Sequence, residues 1–263
     1  MSKKRQPAIF DPQGQTGFQL TTLSHDYADG AHVARHYHYE DQLVFANKGV
    51  MTVQTLEGLW VVPPLRAVWI PGRIVHSIRM SGKVSMRTLY FAQKRFNELP
   101  RKCLVMSVSL LLRELILHAC TLAKLSNKRP AERRVVEMIL DQLDFRNVVP
   151  LQLPIPNDPR AKRVAEALLS EPGTQKKLQE ICSQCGGSKR TIERVFLAET
   201  CLGLGKWRQQ LRLLHSIRLL AAGEKVTMVA LEAGYNSPSA FISAFRKVLG
   251  TTPSNYCHAD QRT

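Results

Sequence analysis

From about residue 15 to residue 92 the apolar positions come in short β-branched and aromatic runs. These are Val33, Leu43-Val44-Phe45, Met51-Thr52-Val53, Val61-Val62, Val68-Trp69-Ile70, Ile74-Val75 and Thr88-Leu89-Tyr90-Phe91. Asp29-Gly30, Asn47-Lys48-Gly49, Glu57-Gly58, Pro71-Gly72 and Ser81-Gly82 punctuate them. Short strands with regularly spaced turn signals predict a sandwich or a barrel. The period then changes. Residues 99–125 read as helical, as do residues 131–145, where Val135, Val136, Ile139, Leu140 and Leu143 form one apolar stripe behind Pro130. That stripe buries itself either on the β domain or against a second copy of the chain. Pro150, Pro154, Pro156 and Pro159 follow within ten residues and exclude a continuous helix. Asp158 is placed to cap a helix beginning at Pro159, and the remaining pattern is helical.

These patterns divide the chain into a β domain (1–95), a helical packing or dimerisation segment (96–149), a linker (150–159) and a helical domain (160–263). The fold class is α+β multidomain. A formal net charge of +16 over 263 residues points to a polyanionic partner, nucleic acid first. Residues 158–263 hold 16 Lys and Arg against 9 Asp and Glu, and residues 1–95 hold 12 against 6, so charge does not locate the contact. The longest apolar run, Cys103 to Leu112, stops at Arg113 and is too short to span a bilayer. The basic start Met1–Pro7 has no apolar stretch behind it, so neither a secretory signal nor a membrane partner is expected. A cytoplasmic location follows, with the six cysteines as free thiols.

The helical domain contains one segment twice. The later copy reads Ala230-x-x-x-Gly234-Tyr235-Asn236-Ser237-x-Ser239-x-Phe241-x-x-x-Phe245-Arg246-x-x-x-Gly250-x-x-Pro253-x-x-Tyr256. The earlier reads Cys182-x-x-x-Gly186-x-Ser188-x-Arg190-x-Ile192-x-x-x-Phe196, closed by Trp207. A shift of about 49 residues lays Ser188 on Ser237, Ile192 on Phe241, Phe196 on Phe245 and Trp207 on Tyr256. Each copy predicts a short helix, a glycine turn, a serine cap and a second helix. In the first copy Lys189, Arg190, Glu193 and Arg194 lie outward on the early turns of the second helix, where a recognition helix meets base edges. Arginine pairs bidentately with guanine and glutamate accepts from cytosine; Ser188 and Lys189 suit phosphate. In the second copy Phe241, Phe245 and Val248 face inward, and Ser239, Ile242, Ser243, Arg246 and Lys247 face out behind Ser237. That face is poorer in long hydrogen-bonding side chains, so the second unit is expected to add more affinity than sequence choice. A helix through Trp207, Leu211, Leu214, Ile217 and Leu220 joins the copies. The competing reading is two plain helical hairpins with solvated charges. Cys182 and Cys185 fall on the inward face of the first short helix, which argues against a metal or redox pair.

The Gly234–Tyr256 signature resembles the DNA-binding domain of AraC/XylS-type bacterial transcription regulators. The resemblance implies base-reading roles for Arg190, Glu193 and Arg194, and for Ser239 and Ser243. Cys201 and Leu204 depart from the family pattern, which has glycine and proline there. At the other end, Gly30-x5-His36-x-His38-x3-Gln42-x6-Gly49 and Pro71-Gly72-x-x-x-His76 resemble the two cupin motifs. Glutamine stands where metal-binding cupins carry glutamate, and the second motif has one extra residue. This implies a small jelly-roll barrel, like the effector domain of some AraC-type regulators. His36, His38, Gln42 and His76 would then line an effector pocket, and His36, His38 and His76 could ligate a divalent metal. No cofactor is required, and the metal is left open. The expected function is a sequence-specific transcription regulator, not an enzyme, that binds double-stranded DNA and an unidentified small effector. A homodimer is an option, and RNA polymerase becomes a partner if the protein activates. The alternative is a cupin metalloenzyme, dioxygenase-like, with a fused helical domain.

Overall fold

Two long strands organise the N-terminal half of the computed structural model, which describes residues 8–9, 20–92, 99–146 and 151–259. Met1–Pro7 and Pro150 lie outside the described residues. The strands are β1 (Ala8–Ile9), β2 (Leu20–Tyr27), β3 (His32–Tyr37), β4 (Asp41–Gln54), β5 (Gly58–Val62), β6 (Arg66–Ile70), β7 (His76–Phe91), β8 (Leu104–Ser107), β9 (Lys124–Leu125) and β10 (Gln152–Pro154). The described residues form two units, one built mainly from residues up to 152 and the other mainly from residues 153 onward.

β4 and β7 pair antiparallel from Asp41↔Phe91 to Gln54↔Ser77. The turns expected at Asn47-Lys48-Gly49 and Ser81-Gly82 are not turns. The register shifts between Ala46 and Lys48 and again between Lys48 and Val50, and both strands run on through the irregularity. Gly49 has φ +73°, and a Cβ there would stand 2.4 Å from the Lys83 carbonyl oxygen. The glycine therefore marks a bulge, which bends a long strand without ending it. Two arms branch from this central pair. Toward one end the order is β9-β2-β7-β4-β6-β8, and toward the other β1-β3-β7-β4-β5. Among the described residues β8 and β9 do not pair, so the antiparallel domain is an open sheet where a closed barrel was expected.

The helical reading of residues 99–125 is corrected in part. Leu104–Ser107 form β8, which pairs with β6. Helix α1 (Leu110–Leu122) begins only after Ser109, whose hydroxyl accepts from Leu112 N at 3.1 Å. An unpaired edge of β6 outweighs local helical preference, because its backbone groups need partners. Ile74 and Val75, expected in a strand, lie in the turn before β7. Helix α2 (Pro130–Gln142) starts at its proline as expected. One face of the sheet carries Leu43, Phe45, Trp69, Leu89 and Phe91, and Leu112, Ile116, Ala119, Val136 and Ile139 of α1 and α2 pack on it in one core. β4 and β7 are thus buried on both faces, and the opposite face is left to line an interior.

The second unit is helical: α3 (Pro159–Ser170), α4 (Leu178–Gln184), α5 (Lys189–Thr200), α6 (Leu204–Ala221), α7 (Val226–Glu232), α8 (Pro238–Leu249) and α9 (Pro253–Ala259). Asp158 caps α3, accepting from Arg160 N at 2.8 Å and Ala161 N at 3.2 Å. Trp207, fully buried on α6, donates from Nε1 to the Pro154 carbonyl at 2.7 Å.

Candidate functional site

The repeat folds into two matching heads. α4 and α5 form the first, and α7 and α8 the second. Ser188 caps α5 by accepting from Thr191 N at 3.2 Å, and Ser237 caps α8 by accepting from Ala240 N at 3.2 Å. Ile192 and Phe196, and their counterparts Phe241 and Phe245, are all completely buried. Phe196 and Trp207 meet edge-on with centroids 5.4 Å apart, and so do Phe245 and Tyr256 at 5.4 Å. One packing solution is therefore used twice. Val248, expected inward, is 40% exposed. It lies one turn beyond Phe245, near the end of α8, where the core has run out.

Each buried stripe fixes what the helix shows to solvent. On α5, Lys189, Arg190 and Arg194 are exposed and Glu193 is half-buried. Lys189 Nζ lies 3.6 Å from Glu193 Oε1, one turn on. An exposed pair of this kind contributes only about 0.3–0.5 kcal/mol, so either partner is free to exchange it for a nucleic-acid contact. On α8, Ser239, Ser243, Arg246 and Lys247 are exposed. Cys182 is buried, and burial pushes its thiol up to about 11, which makes it a poor metal ligand or nucleophile.

In the N-terminal unit His36, His38 and His76 come together. His36 on β3 pairs in register with His76 at the start of β7. His38 follows β3 directly, and its carbonyl accepts from Arg73 N at 2.7 Å. The candidate ligand nitrogens of the three lie within 4.8 Å of one another. Each Nδ1 faces a backbone carbonyl: Ala34 at 2.8 Å, Glu40 at 2.8 Å and Ile74 at 2.9 Å. A carbonyl only accepts, so the Nδ1 of His36 and of His76 carries a proton, and the neutral His76 ring keeps its Nε2 lone pair. His38 faces an acceptor at both nitrogens, since its Nε2 lies 2.8 Å from Gln42 Oε1 while the Gln42 Nε2 donates to Thr88 Oγ1 at 3.1 Å. His76 Nε2 is buried without a hydrogen-bond partner. Burial pushes His76 down to about 3 and lowers His38 as well, so both rings are neutral at physiological pH.

His36 and Gln42 also line a cavity of about 290 Å³ together with Leu23, Tyr27, Val33, Ile78, Met86 and Tyr90. His38 and His76 sit behind that lining, with the His38 ring 5.2 Å from Tyr90. Sequence reading missed Tyr27, Met86, Thr88 and Tyr90. The signal was the even-numbered alternation of β7, which puts His76, Ile78, Met86, Thr88 and Tyr90 on the face opposite the helices.

Two serine-capped helix pairs on one connector, with cations on the outer turns of α5 and α8, define a DNA-binding module. Carried in one chain with a pocketed β domain, that module makes a transcription regulator. A family model described as a helix-turn-helix domain matches residues 181–259. The HTH-type transcriptional regulator NimR of Escherichia coli K12 is 33% identical over 221 residues, covering 84% of this chain and 81% of the relative. The HTH-type transcriptional regulator RipA of Corynebacterium glutamicum is 35% identical over 103 residues, 39% of this chain and 31% of that protein. The DNA-binding domain of AdpA, solved with a target DNA, is similar over 40% of this chain and 96% of its own, at 30% identity and TM-score 0.38. The chain belongs to the AraC/XylS family of helix-turn-helix transcription regulators. Its relatives regulate transcription, which decides against the cupin dioxygenase alternative. Among the described residues no helix is long and apolar enough to cross a membrane.

Proposed function

We propose that this regulator reads its operator with α5 and α8 and senses a small effector in the cavity of its β domain. Ser188, Lys189, Arg190, Glu193 and Arg194 form the first contact surface, and Ser237, Ser239, Ser243, Arg246 and Lys247 the second. The observation that carries the reading is the duplicated head, with a fully buried stripe behind an exposed row of donors. A single hydroxyl hydrogen bond is worth about 0.5–1.5 kcal/mol, whereas a bidentate arginine–guanine pair discriminates by about 1–3 kcal/mol. The first head therefore chooses sequence and the second mainly adds affinity. Single-base preferences of Arg194→Ala and Ser243→Ala on a selected operator test this. Arg194→Ala should lose about 5- to 150-fold in discrimination at one position. A larger loss from Ser243→Ala would refute the assignment.

The cavity wall is mainly apolar, with Arg35, His36, Gln42, Tyr27 and Tyr90 as its polar points, which suits a small, largely apolar effector with one polar or anionic end. The orphaned His76 Nε2 favours a second occupant of the same domain, a divalent transition ion on Nε2 of His36, His38 and His76 with Gln42 beside them. The donor set fits such an ion once His38 Nε2 exchanges its contact with Gln42 Oε1 for the metal, because the carbonyl bonds at Nδ1 are the supports that metal-ligating histidines use. Bound there, it would tie β3 to β7 and could offer an open position to the effector.

A further inference from the structure

Between the two reading heads lies a contact that neither their cores nor their outer faces use. The loop from α3 to α4 meets the turn from α7 to α8 backbone to backbone. A Cβ on Gly173 would stand 2.0 Å from the Glu232 carbonyl oxygen. A Cβ on Gly234 would stand 2.7 Å from the Gly173 carbonyl oxygen and 2.8 Å from Arg212 Nη2. Only glycine permits this approach from both sides. Two arginines one turn apart on α6 bind the same loop. Arg212 Nη2 donates to the Thr174 carbonyl at 2.8 Å. Arg208 Nη1 donates to the Lys176 carbonyl at 3.0 Å, and its Nη2 also donates to the Thr174 carbonyl. Thr174 itself is buried.

The connector, α6, packs on α5 of the first head and on α7 of the second. It begins after Gly203 and ends before Gly223, and both glycines have open space around them. The two glycines are the points where the chain entering and leaving that helix can bend. The Gly173–Gly234 contact, fastened by Arg208 and Arg212, adds a point of attachment between the heads that does not pass along the axis of α6. We propose that this joint sets the distance and angle between α5 and α8, and so determines which spacing of operator half-elements the protein accepts. The four residues are positioning residues that touch no base. One base pair of added spacer moves a half-element by about 3.4 Å and turns it by about 34°, which a rigid pair of heads cannot follow.

The inference rests on α5 and α8 both meeting DNA. The test uses the full chain and a duplex selected from a random pool, remade with the half-elements moved by one or two base pairs in each direction. Wild type should lose about tenfold or more in affinity for each one-base-pair change. Arg208→Ala, Gly173→Ala and Arg208→Ala/Arg212→Ala should flatten that profile to within about threefold, while base preferences inside each half-element stay as in wild type. Arg208→Lys, which keeps one donor, should restore part of the preference. A wild-type protein indifferent to spacing overturns the proposal. So do variants that keep the wild-type profile at uniformly lower affinity, the result expected of a purely structural role. Because Arg208→Ala leaves Arg212 in place, it supplies a folded protein if the double variant unfolds. Failure to select any duplex at all would instead strike at the reading of α5 and α8 as DNA-contacting helices.

Discussion

Cys201→Gly should make the DNA-binding unit more stable. Cys201 ends α5 in the left-handed region, φ 57° and ψ 12°, with its backbone N–H donating to the Leu197 carbonyl at 3.1 Å. Its repeat counterpart ends α8 with the same bond to the Arg246 carbonyl, but is Gly250, φ 73° and ψ −1°. The family pattern has glycine at both positions; this chain keeps it at one. A side chain in the left-handed region costs about 1–2 kcal/mol, and the extra freedom of glycine in the unfolded chain returns about 0.5–1 kcal/mol. The net gain is about 0.5–1 kcal/mol. Cys201 is exposed, so losing its side chain costs no packing. Native-state hydrogen exchange of the α5 and α6 amides is the assay, since it reports the local free energy in a chain of two units. Protection should rise by about 2- to 5-fold in Cys201→Gly and stay unchanged in Cys201→Ala, and that of the α8 amides should fall in Gly250→Ala. Equal protection in Cys201→Gly and Cys201→Ala would refute the argument, because relief of the left-handed strain would then be no larger than the unfolded-state freedom that glycine adds.

Two predictions concern the histidines. Burial holds His76 at about 3 against an ordinary 6.5, so below pH 6.5 the unfolded chain takes up a proton that the folded chain refuses. Stability is therefore full above pH 7 and falls with acidification, by about 2 kcal/mol between pH 7 and pH 5 from this residue, with His38 acting in the same direction. Urea unfolding of wild type and His76→Gln at both pH values measures it, and a His76 ring-proton resonance titrating near 6.5 contradicts it. Zinc or nickel at about 100 times its dissociation constant should stabilise the β domain by about 2.7 kcal/mol. His76→Ala should abolish the effect and His118→Ala, an exposed control, should not; retained metal stoichiometry in His76→Ala sinks the metal assignment.

Local pattern settled the helices and the heads. Periodicity, serine caps and the repeat located α4 through α8, because a helix is fixed by neighbours three and four residues away. The same pattern placed Ile192, Phe196, Phe241 and Phe245 inward and the arginines of α5 outward. It also marked His36, His38 and His76 by spacing. What it could not show were partners distant in the chain. Asn47-Lys48-Gly49 carries the composition of a turn, yet Lys83 and Ser85 across the ladder make it a bulge within β4. Leu104–Ser107 carries a helical pattern, yet the open edge of β6 draws it into the sheet. The orientation of three imidazoles by three carbonyls, the place of His38 behind Tyr90, and the meeting of Gly173 with Gly234 each join residues that only the folded chain brings close. Sequence determined which elements form and which faces they bury. Tertiary structure decided which elements meet, since a pairing edge or a backbone approach is a property of two segments together and is written in neither one.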